Sequence, residues 1–203
     1  MSIGSARTDS KDIMRTSPDI PTSLAASLYD YEAWLRPMTL KKATRFCSDA
    51  RPDQVLGAVL DLQGNLPSRA EHFQLLGAVW PRADTVWRQA THLHSVLTKA
   101  TEEHLLCMMT SEEQLFREGL PDEFDVYRGC YHHNIQGLTW SLVRDLAMEY
   151  PYMQGNRMEA PPLLVSARLR RRQSVVKIGR DGVTVIGWKP ISPRVEMLEP
   201  ASY

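Results

Sequence analysis

The chain has 203 residues, enough to bury a sizeable core as one large domain or two small ones. Lys and Arg number 24 and Asp and Glu 24, so the formal charge is +0, which argues against a dedicated nucleic-acid or membrane-surface binder and leaves only a local patch open. The three cysteines, Cys47, Cys107 and Cys130, have no Cys-x-x-Cys spacing, which argues against a disulfide framework or a zinc site and points to a reducing compartment.

Residues 1–22 are polar and without periodicity, and read as a flexible tail. They carry no apolar core of a signal peptide, and no apolar run reaches membrane-spanning length. A cytoplasmic protein is expected. Residues 23–120 read as a helical region. Leu24, Leu28, Tyr31 and Leu35 recur at helical spacing until Pro37 stops the element. A short helix is expected over 39–47. Pro52 opens another, with Val55, Val59 and Leu62 on one face and Gly64 as its end. Ser68 and Glu71 have capping-box spacing ahead of Phe73, Leu76 and Trp80. Asp84 is placed to cap a helix that buries Val86, Ala90, Leu93, Leu97 and Ala100. Helices over 102–109 and 111–118 follow.

Past Leu120-Pro121-Asp122 the pattern changes, and 121–203 reads as a β-rich region. Strands are expected at 124–127, 137–141, 163–169, 174–178, 183–188 and 194–198. One helix, 142–150, ends at Pro151, and 153–162 reads as an exposed loop. Helices first and strands later give an α+β chain, and the short connections let the helices pack on the strands.

The functional reading rests on an ordered set of residues. Tyr127-Arg128-Gly129 closes one strand, and Thr139-Trp140-Ser141 lies on the next, ahead of a helix containing Ala147. This order resembles the Arg–Ser-x-Ser–Glu class of mono-ADP-ribosyltransferases, and the layout is similar to bacterial and phage proteins of that type. The resemblance covers roughly the last eighty residues. It implies a split β-sheet with NAD bound as substrate in a cleft, nicotinamide leaving, and ADP-ribose passing to a protein or other macromolecular acceptor. Arg128 would grip phosphate oxygens, which a planar guanidinium binds bidentately. Gly129 would let the backbone approach the ligand. Thr139 and Ser141 alternate with Trp140, so both hydroxyls face one side and could organise the ribose. Tyr127 or Tyr150 would flank the nicotinamide ring.

The resemblance fails at the catalytic acid. The two expected acids fall at Gly182 and Thr184 in Arg180-Asp181-Gly182-Val183-Thr184. Thr184 can hydrogen-bond a ribose but supplies no negative charge. Asp181 takes the role if a bulge shifts the register, and Glu196 and Glu199 are the other acids near the end of the region. Two functions are therefore expected: an NAD-dependent transferase with Asp181 or Thr184 at the acid position, or a catalytically inactive fold of the same type that binds a partner. A third, weaker reading makes the motif match accidental.

Other residues carry blander readings. His132 and His133 are adjacent in a loop with no third ligand in sight, so no metal is expected. Cys107 reads as core, and Cys130 lacks a visible base and acid for nucleophilic work. The run Arg168-Leu169-Arg170-Arg171-Arg172 reads as a solvated turn between strands, with a docking patch as its alternative.

Overall fold

Local capping chemistry fixes most of the helix starts. A computed structural model describes residues 37–83, 86–153, 158–179 and 182–199. The expected tail, the helix at 24–35, the Asp84 cap and Asp181 lie outside the described residues. Thr39 caps α1 (Leu40–Asp49) by accepting from Lys42 N. α2 (Val55–Asp61) buries Val55, Leu56, Val59 and Leu60 and passes into a 3-10 turn, Leu62–Gly64. Ser68 caps α3 (Arg69–Val79) through Glu71 N, as its spacing predicts. The next expected helix divides into a 3-10 turn, Val86–Gln89, and α4 (Ala90–Thr98). Thr101 and Thr110 cap α5 (Glu102–Cys107) and α6 (Ser111–Glu118), each with a reciprocal bond from the third helical residue, His104 and Glu113.

The strands are β1 (Glu123–Cys130), β2 (Thr139–Ser141), β3 (Leu163–Arg170), β4 (Ser174–Gly179), β5 (Gly182–Gly187) and β6 (Ile191–Met197), with α7 (Arg144–Glu149) between β2 and β3. All six form one sheet in the order β4-β5-β2-β1-β3-β6, with every neighbouring pair antiparallel. The architecture is α+β, as expected. Strand ends differ from the sequence reading: β1 runs to Cys130, β2 begins at Thr139, and α7 starts at Arg144 after a turn at Ser141.

The sheet is strongly coiled. A Cβ on Gly187 of β5 would stand 2.2 Å from Leu169 Cδ1 of β3. A flat sheet would hold these strands three spacings apart, about 14 Å. Phe124, Val126, Cys130, Trp140, Val165, Ala167 and Leu169 alternate onto the concave side and share one buried cluster with Phe73, Leu76, Leu93 and Met108 of the helices. The helical region and the sheet therefore share a continuous core. Trp140 satisfies its indole by donating to the Gly187 carbonyl at 3.0 Å.

Both sheet edges are managed chemically. On β4, Ile178 N donates to Glu113 Oε1 at 2.9 Å and Val176 N to Met109 Sδ at 3.3 Å, so α6 and the turn before it cover the edge. On β6, Pro193 removes a donor from the exposed edge.

Candidate functional site

Antiparallel partners project to the same face of a sheet, so register decides which side chains meet. Ser141 pairs with Tyr127 on one side and Thr184 on the other. Extended outward, Tyr127 pairs with Ser166, Ser166 with Arg194, and Thr184 with Lys177. A single ladder thus crosses all six strands as Lys177, Thr184, Ser141, Tyr127, Ser166 and Arg194: four hydroxyls flanked by two cations. Thr184 and Arg194 are exposed, while Ser141, Tyr127 and Ser166 are half-buried. Thr139 shares this convex face by alternation with Ser141.

These hydroxyls are not equally available. Ser141 Oγ donates to the Val143 carbonyl at 2.9 Å and accepts from Val143 N at 3.0 Å, which makes it the turn that launches α7. Among the described residues, Thr184, Tyr127 and Thr139 make no side-chain hydrogen bond. Lys177 is buried, donating to Glu113 Oε2 at 2.8 Å and the Met108 carbonyl at 3.0 Å, so its charge serves the α6 contact. Burial pushes the Glu113 carboxyl up, but the bonds from Lys177, Ile178 and Thr110 outweigh that and hold it below its ordinary value.

Arg128 and Gly129 occupy different surroundings from those the motif suggests. Alternation puts Arg128 on the opposite face from Tyr127 and Ser141, beside Cys130. Its Nη2 donates to the Asn134 carbonyl at 2.8 Å. Burial pushes its pKa down, against the opposing influence of Cys130 and Tyr150. The space above Gly129 is filled by protein: a Cβ there would stand 1.8 Å from the Ala147 carbonyl oxygen and 2.6 Å from Pro151 Cδ. In this arrangement the glycine admits α7 and Pro151.

The remaining acids are also placed. Asp181 lies outside the described residues. Gly182 has φ 111°, a conformation that an L-residue adopts only with strain, so a carboxylate is disfavoured there by the backbone itself. Glu196 stands on β6, three strands from β2 in the sheet order, and its Oε2 is 3.0 Å from Arg144 of α7. No acid belongs to the ladder that contains Ser141 and Thr184. Ser166, Lys177 and Arg194 were not singled out in the sequence, where only strand alternation marks them.

The arginine-rich run is partly neutralised by two acids at the start of β1. Arg168 and Arg170 pair with Glu123, and Arg171 pairs with Asp122 and donates to the Glu118 carbonyl. Arg117, 5% exposed, bonds both Glu102 and the Arg171 carbonyl. All of these except Arg168 line a cleft of about 740 Å³, which Arg172 completes with balanced charges, and they join α5 and α6 to the start of β1 and the end of β3.

Among the described residues no group of three or more His, Cys, Asp or Glu is positioned to hold a metal ion. Nor is any helix long and apolar enough to cross a membrane. His133 stacks on Tyr131 and meets the edge of Trp87, at centroid distances of 6.2 and 5.1 Å. Comparison with family models, with curated proteins and with solved structures returned no match.

Proposed function

We propose that the protein binds NAD in the manner of an ADP-ribosyltransferase-like fold, and that Thr184 at the acid position makes transfer of ADP-ribose slow. One observation carries this reading: Ser141 is the direct cross-strand neighbour of both Tyr127 and Thr184. Residues that the motif assigns to the nicotinamide ring, the ribose and the acid lie far apart in sequence and yet fall on one register line. A hydroxyl row suits a ribose, which offers and accepts hydrogen bonds without charge. Cleavage of the nicotinamide bond develops positive charge on the ribose, and a neutral Thr184 stabilises it poorly.

The test is calorimetric titration of the full chain with NAD, with nicotinamide release followed in the same samples. Binding with release close to background is expected. Absence of binding would remove any NAD role, and rapid release would show that an acid, Asp181 or Glu196, supplies the missing charge.

A second reading, an inactive partner-binding module of the same fold, is favoured by the surface of α7. Val143, Leu146 and Tyr150 are 50%, 46% and 50% exposed at helical spacing, directly after Ser141. Contiguous exposed apolar groups of this kind mark interaction surfaces. A macromolecular acceptor and a non-substrate partner would meet the same face, and turnover of NAD separates them.

A further inference from the structure

β6 ends the sheet, and among the described strands it pairs with β3 alone. Residues 192–197 are all exposed. Which way its backbone groups point follows from the register. Arg194 and Glu196 pair with Ser166 and Leu164, and Leu198 N continues this set by donating to the Pro162 carbonyl at 2.9 Å. Backbone groups alternate in direction along a strand, so these residues face β3, and the N–H and C=O of Val195 and Met197 face away from the sheet. Pro193 blunts the start of this edge, but the half after it stays open.

Both faces of the open half carry patterns that complement themselves. On the concave side the apolar rows of the core run off the edge. Val165 is buried, whereas its neighbour Val195 is 52% exposed, and Met197, beside the partly buried Leu163, is 76% exposed. On the convex side stand Arg194 and Glu196. Arg194 makes no ion pair among the described residues, and Glu196 engages Arg144 through Oε2, which leaves its other oxygen for a second cation.

We propose that β6 pairs antiparallel with β6 of a second copy of this chain, about a two-fold axis at Val195. Val195 then exchanges both backbone bonds with Val195 of the second copy, and Met197 N donates to the Pro193 carbonyl of the second copy. Arg194 stands opposite Glu196 and Glu196 opposite Arg194, so the convex face gains opposite-charge pairs on both sides of the axis. Pro193, Val195 and Met197 of the two copies form one apolar strip on the concave side. The sequence also selects against the neighbouring registers. An axis at Arg194 or Glu196 opposes like charges, one at Pro193 opposes two residues without an N–H, and one at Met197 puts Glu196 opposite Leu198 and loses the charge pairs. A self-complementary patch of this kind is what a two-fold dimer requires. The pairing draws on the edge alone and is independent of the NAD reading.

Sedimentation velocity on the full chain across the micromolar range is the test. A single strand pair buries less than a standard interface of roughly 1,600 Å², so a reversible, concentration-dependent dimer is expected. Val195→Pro removes an outward donor without removing a bond to β3, and is expected to weaken the dimer about tenfold or more. Arg194→Glu and Glu196→Arg each oppose like charges across the axis, and each alone is expected to associate about tenfold more weakly. Mixed in equal amounts, these two variants restore opposite charges at every position, and a heterodimer of the unaltered strength is expected. Melting curves at low concentration identify the folded variants used for comparison. Three results would overturn the proposal. One is an unaltered chain that stays monomeric throughout, which would leave the edge to some other extended chain. The others are a dimer indifferent to Val195→Pro, and a mixture of the folded charge variants no more associated than its components.

Discussion

Thr184 of β5 stands directly opposite Ser141 of β2, and both side chains project from the convex face of the sheet. The pairing makes Thr184 the position from which a longer acidic side chain would reach over the Ser141–Tyr127 row. Thr184→Glu is therefore expected to raise nicotinamide release at saturating NAD by about 10²-fold, the usual worth of one preorganised charge at a developing ion. Chromatographic measurement of nicotinamide checks it. A Thr184→Glu protein that folds and binds NAD but gains no release would mean that the row is not a cleavage site.

Lys177 and Glu113 form a buried pair, 8% and 5% exposed, that docks α6 on the β4 edge. Removing one partner leaves the other charge stranded, at a cost of about 3–5 kcal/mol. Lys177→Met is expected to lower the denaturant midpoint accordingly, and replacing both residues with apolar side chains should recover part of the loss. The same pair sets an acid limit. The Glu113 carboxyl lies below its ordinary value when folded, so its stabilisation is complete above the unfolded value. It is lost as pH falls through the folded one. Urea titrations of both variants across the acid range would check the two statements together.

His72 is buried with its Nε2 donating to the Val59 carbonyl at 3.0 Å and its Nδ1 without a partner among the described residues. Burial pushes its pKa below the ordinary 6.5, with Val59 opposing and Arg69 and His92 assisting. The unfolded chain then binds a proton that the folded chain refuses. Stability is complete above the unfolded value and declines as pH falls below it. Melting temperature should drop between pH about 7.5 and about 5.5, on either side of that value. In His72→Gln, which keeps a donor for Val59, the drop should shrink, and an undiminished drop would move the effect elsewhere.

Gly129 makes room for the Ala147 carbonyl and Pro151. Gly129→Ala would have to displace backbone, with an expected loss of about 1–3 kcal/mol from overpacking. Thermal denaturation measures it. An alanine tolerated without loss would show that α7 can slide off β1, and would return the glycine to a ligand-approach role.

The sequence by itself determined the class and the order of elements. Apolar periodicity and the Ser68–Glu71 spacing announced helices, and the later alternation announced six strands, because these signals are local. It also showed that Thr139 and Ser141 share a face, since alternation needs no partner strand. Thr110 and Glu113 carry the same capping spacing but were not singled out in the sequence. What it could not show was that Glu113 also meets Lys177, because that bond depends on where α6 lands. Strand register was likewise hidden: pairing Tyr127 with Ser141 sends Arg128 to the opposite face, although the two residues are adjacent in the chain. The need for Gly129 came only with the elements pressed against it. Local patterns select elements because they are satisfied within a few residues, whereas register, burial of a charge and close approach are decided by distant strands meeting.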